Sequence, residues 1–143
     1  MLTEDHILRQ IAQFVAVLAK ILGLSKAGQF QEACSLIDQA IEGLLGLNAN
    51  IVKGMDEAGL VTLLTTGLGL DCGKLVVLAD LFNVEGDVFA AQQRPNESKD
   101  SYQRALNLYY VFTAECKVDV ETDILAKIEA LEKMISSNEK EKG

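Results

Sequence analysis

The chain has 143 residues, a formal net charge of −8 and 49% hydrophobic residues, which suits one globular domain whose core needs no metal or disulfide. Aromatics are only 6%, Trp is absent and there is a single Pro, so Ala, Leu, Ile and Val build the interior and few breakers interrupt helices. Both halves share the acid excess, with 8 acidic and 4 basic residues in 1–71 and 13 and 9 in 72–143; nucleic acid and anionic membrane are disfavoured as partners.

The start, MLTEDHILRQ, lacks the positive flank of a signal peptide, and the apolar run behind it is interrupted by Gln13 and Lys20. The expectation is a cytoplasmic chain without a membrane span. Thr3 is placed to cap a first helix, and Glu4 and Asp5 suit the positive end of its dipole. That helix runs to about Leu24, with polar residues confined to the stripe His6, Arg9, Gln10, Gln13 and Lys20. A helix so apolar is buried on more than one side, either centrally or against a partner. Phe14, Val15, Leu18 and Leu22 are the candidate dimer interface.

After a turn at Ser25–Gly28, a second helix runs from about Phe30 to Leu45. Ala33, Leu36, Ile37, Ala40, Ile41 and Leu44 give it one clean apolar face, and Gly46 is a plausible stop. Leu47–Gly54 has weak periodicity. A shorter third helix follows Asp56 as N-cap and reaches about Thr66, with Leu60, Val61, Leu63 and Leu64 inside. Gly67–Asp71 connects it to a fourth helix, about Cys72 to Gln92, where Leu75, Leu78, Ala79, Phe82, Gly86 and Phe89 form one face. Asp80, Asn83 and Asp87 line another face at i, i+3, i+7 and are the candidate partner-binding residues. Pro95 starts a fifth helix reaching about Cys116. Asp119 caps a sixth, about Val120 to Ile135, ahead of a short charged tail over 136–143. The whole is a single all-α domain of about six helices in three antiparallel hairpins.

Cys34, Cys72 and Cys116 are odd in number and far apart, which reads as three reduced, packed thiols. GLGLDCGK at 67–74 fails as a phosphate loop: Leu68 stands where a Gly is required, and Leu75 where Ser or Thr must ligate magnesium. His6 is the only histidine, which leaves no nucleophile–base pair and no histidine metal site. Glu4, Asp5, Asp119, Glu121 and Asp123 lack the Glu-x-x-His companions of a di-iron bundle. No catalytic residue, cofactor or metal is expected.

In the central stretch, Phe82 is followed by Gly86 and Phe89, and after the turn come Ser98, Tyr102 and Ala105. These spacings resemble the tetratricopeptide repeat, in which small residues let two helices approach and aromatics fill the gap. Glu85 replaces the usual Leu before the Gly, and Tyr110 stands where the pattern ends in Pro. Ala33, Ile37 and Ala40 repeat the second-helix spacing, and Ser98 lies 65 residues after Ala33, near two repeats of about 34. The resemblance is fullest over 72–116, and the chain as a whole is similar to small bacterial proteins of this plan. It implies a right-handed solenoid or bundle acting as a non-catalytic protein-interaction module for a protein or peptide. The alternatives are a structural homodimer assembled through the first helix and, behind it, a small enzyme or small-ligand-binding bundle.

Overall fold

The computed structural model describes residues 4–116 and 121–142, with side chains described for Arg9, for 12–116 and for 123–137. The Thr3 and Asp119 caps, and the side chains of Glu4, Asp5, His6 and Glu121, lie outside the described residues. Among these residues there are seven α-helices and no strand: α1 (Glu4–Lys26), α2 (Phe30–Leu45), α3 (Ala49–Lys53), α4 (Glu57–Thr62), α5 (Cys72–Ala91), α6 (Pro95–Glu115) and α7 (Glu121–Lys142).

Local chemistry sets most boundaries. Gly46 ends α2 in the left-handed conformation, φ 70°, where a side chain would be strained. Asn48 caps α3 by accepting from the N–H groups of Asn50 and Ile51, so the weakly periodic LNANIVKG stretch holds a short helix of five residues. Asp56 caps α4 through Gly59 N–H, and Asp71 caps α5 through Lys74 N–H. That capping role answers the glycine-rich 67–74 stretch. A π-turn, Leu63–Gly67, widens the end of α4 before the connector. α7 stays helical to Lys142, through the residues expected as a tail.

The central element is α5, which packs against α1, α2 and α6; α7 lies on the outer side of α6. Eight consecutive residues, Leu75 to Phe82, are buried, so α5 has no solvated stripe over that stretch. Of the two places open to the first helix, the centre is taken by α5. α1 buries Ile21 and rests Phe14, Val17, Leu18, Leu22 and Leu24 on the core, while Val15 is 55% exposed.

α5 and α6 run antiparallel in one register over their whole length. Cys72 meets Cys116, Asp80 meets Tyr109, Glu85 meets Ser101 and Gly86 meets Ser98. The two helices lie in close contact at Gly86, where a Cβ would lie 2.4 Å from the Tyr102 ring. Phe82, Ser98, Tyr102 and Ala105 are all buried beside it. Phe89, at the far end of the row, is half-buried with the Arg94 guanidinium 4.9 Å from its ring centroid.

Cys72 and Cys116 form a disulfide across a sequence separation of 44, correcting the expectation of three free thiols. The two helices have almost equal lengths, so the hairpin returns the chain to its starting level and brings the distant cysteines together. Closing a loop of that size removes about 4 kcal/mol of unfolded-chain entropy on the chain-entropy account. Cys34 stays a free, half-buried thiol whose pKa is raised by burial.

Gly86→Leu is expected to destabilise the protein by roughly 1–3 kcal/mol through overpacking against Tyr102. Gly43→Ala, in the last turn of α2 with open space around it, should stabilise by up to about 1 kcal/mol through helix propensity. Urea midpoints check both, and equal midpoints for Gly86→Leu and wild type would contradict the close approach.

Candidate functional site

The seam between α5 and α6 is apolar at its base and carries a ladder of polar ties. At its centre is Glu85, with 0% exposure. Ser101 donates to its Oε1 at 2.8 Å, and Lys53 Nζ lies 2.5 Å from its Oε2. Arg104 Nη1 stands 4.0 Å from Oε1, and its Nη2 donates to the Lys53 carbonyl at 3.0 Å. Lys53 also reaches Asp38 on α2 at 2.6 Å. The cluster therefore ties α2, α3, α5 and α6 at one point. Burial works against the Lys53 ammonium, but the Glu85 and Asp38 carboxylates outweigh it and hold the pKa above the ordinary 10.5.

A second set of ties lies on the neighbouring face. Asp80 is 7% exposed; it accepts from the Tyr109 hydroxyl and from Lys127 Nζ of α7 at 3.0 Å. Asn83 lies against the same tyrosine hydroxyl. Asp87 accepts from the Tyr102 hydroxyl at 2.6 Å. Burial raises the Asp87 pKa, and its bond to Tyr102 opposes the shift. Burial, followed by the carboxylate partners, raises the pKa of Tyr102 and Tyr109.

The three residues expected to contact a partner, Asp80, Asn83 and Asp87, thus sit on the tyrosine ties between α5 and α6. Asp80 is enclosed there and is corrected from candidate partner contact to interior brace; Asp87 keeps an exposed edge, with its carboxylate partly covered at the Tyr102 hydroxyl. Of the candidate dimer residues, Val15 points outward, while Phe14, Leu18 and Leu22 are half-buried against the core. The exposed positions of α1 include Ala12, Val15, Ala16, Ala19 and Gly23, set beside the polar Arg9, Gln13 and Lys20. The first five are apolar or small where a solvated helix would carry charge.

Glu85 was visible in the sequence only as a departure from the repeat pattern. Its partner Lys53 lies 32 positions earlier, in the stretch with the weakest periodicity. The signal was an acid between Val84 and Gly86 on a helix otherwise apolar on that side.

Two grooves border the hairpin. One, of about 590 Å³, lies between the α5–α6 turn and α7, against Ala90, Pro95, Tyr102 and Met134. The other follows α6 beside α4. Its upper part, of about 210 Å³, has Leu60, Val61 and Leu108 with Asp100, Gln103 and Arg104. Its lower part, of about 740 Å³, has Val61, Asn107, Val111 and Ala114. The parts share Glu57, Val61 and Asn107 and so are continuous.

Among the described residues, no group of three or more His, Cys, Asp or Glu could hold a metal ion, and no helix is long and apolar enough to cross a membrane. No protein-family model matches the chain, and no curated protein or solved structure matches it.

Lys53→Met should destabilise by roughly 3 kcal/mol, because it removes the nearest cation from a buried carboxylate. Adding Glu85→Leu, the residue of the repeat pattern, should restore most of that loss, since an apolar pair can replace a buried ion pair. Additive losses in the double variant would contradict the pairing. With a folded pKa above the unfolded value, Lys53 contributes fully below about pH 10.5 and less as pH rises through the raised value. The wild-type advantage over Lys53→Met, read from urea midpoints, should therefore hold from pH 7 to about 10 and shrink only as pH rises beyond about 10.5.

Proposed function

We propose that this chain is a non-catalytic, tetratricopeptide-like protein-interaction module that binds a protein or peptide along the α4–α6 groove. The observation that carries the reading is the groove itself. It has an apolar floor of Leu60, Val61, Leu108 and Val111, and polar side chains stand along its edges. Mixed apolar and polar lining of this kind suits a peptide. The close approach at Gly86 and the burial of Phe82, Ser98, Tyr102 and Ala105 support the repeat-like plan of the central hairpin. The same resemblance carries the expectation of a bacterial protein. The sequence expects the cytoplasm, where Cys72 and Cys116 would be kept as thiols; their bridge fits an oxidising compartment.

Wild-type protein used as bait in native extract should capture a specific protein, identified by mass spectrometry, and Val61→Arg in the groove floor should lose it. Capture unchanged by Val61→Arg would move the binding surface elsewhere. Absence of any specific capture would contradict the module.

One observation favours a second reading, a homodimer through α1. The exposed row Ala12, Val15, Ala16, Ala19 and Gly23 leaves room for a second helix to approach closely. Sedimentation across a concentration series should then show a dimer that Ala16→Glu dissociates. A monomer at every concentration would remove this reading.

A further inference from the structure

We infer that the α4–α6 groove selects a basic, amphipathic peptide segment about 21 Å long, a length that follows from helical rise along its α6 wall. That wall runs from Asp100 to Ala114. The inference rests on the interaction-module reading and adds the chemistry of the partner.

Charge carries the argument. The groove lining holds three carboxylates: Asp56 and Glu57 on the α4 side and Asp100 on the α6 side. It holds one cation, Arg104. That guanidinium is turned to the interior. It donates to the Lys53 carbonyl at 3.0 Å, stands 4.0 Å from Glu85 and lies 5.8 Å from the Phe82 ring centroid. Among the described lining residues, the α4–α6 edges therefore present acid to solvent, with Arg104 as the one cation and that one turned inward. The chain's net charge of −8 adds to the same field. A segment with Lys or Arg at its margins would meet Glu57 and Asp100 from both sides of the groove.

The floor supplies the second half of the recognition. Leu60, Val61, Leu108 and Val111 form an apolar strip between the acidic edges, with Gln103 and Asn107 bonded to each other at 3.0 Å beside it. An apolar stripe on the incoming segment would cover this floor while its cations stay at the rim.

The test is selection of displayed random 15-residue peptides on the full chain, followed by anisotropy titration of the enriched sequences. Basic, apolar-striped peptides should be enriched. The double charge reversal Glu57→Lys with Asp100→Lys should weaken them by roughly tenfold, and raised salt should weaken wild-type binding. Enrichment of acidic or uncharged peptides that still lose affinity in Val61→Arg would overturn the charge inference and leave the groove as a binding site. Basic peptides indifferent to both the double reversal and Val61→Arg would overturn the groove while leaving the chain a binding module. No enrichment at all would overturn both readings. Unchanged urea midpoints for the two exposed charge reversals would show that lost binding is not lost folding.

Discussion

The structure depends on how closely α5 and α6 approach at Gly86. With no side chain there, the Tyr102 ring seats against the α5 backbone, and Ser98 reaches the Gly86 carbonyl to donate a hydrogen bond. The remaining contacts follow from that register. Asp80 falls opposite Tyr109, Asp87 opposite Tyr102 and Cys72 opposite Cys116. A helix backbone packed this closely has little tolerance for added volume. α1 and α2 cover α5 from the other side, which leaves its middle fully inside.

Glu85 is the unusual feature of that interior. Burying a carboxylate is costly unless it is paired and hydrogen-bonded, and an apolar residue would hold the same position more simply. Here Ser101, Lys53 and Arg104 answer it from two other elements. The consequence is architectural. α3 is only five residues long and could not hold its place by its own packing. Lys53 at its end fastens it to α5 and α2, while Glu42 of α2 accepts from the Ala49 N–H at its start. The polar cluster thereby positions the chain leading into α4, and α4 forms one wall of the groove. Interior electrostatics and the proposed binding surface are connected through that short stretch.

Much of the fold was legible in the sequence because helix-forming chemistry is local. The single-faced pattern of α2, the Asp56 and Asp71 caps and Pro95 at the start of α6 placed the starts of their elements to within a residue or two. What escaped depends on distance along the chain. Asp80 looks like one of a polar row, and Glu85 like a bare departure from the repeat, until Lys127 and Lys53 arrive from other elements. The excess apolarity of the first helix fitted either central burial or a partner surface; α5 fills the centre, and α1 rests Phe14, Val17, Leu18, Leu22 and Leu24 on the core with Val15 outward. The cysteine pair was hidden for the same reason, since only the hairpin's return makes the two ends neighbours. Of the candidate site, the acid at Asp80 was visible, but not its enclosure. The α4–α6 groove was not visible at all, because it belongs to the gap between two elements.

The central claim is that α5 is the element on which the rest is built, and native-state hydrogen exchange tests it most directly. The account predicts that amides from Leu78 to Val88 exchange only through global unfolding and are the slowest in the protein, while those of α4 exchange through local opening. Exchange in the middle of α5 as fast as in α4 would contradict it.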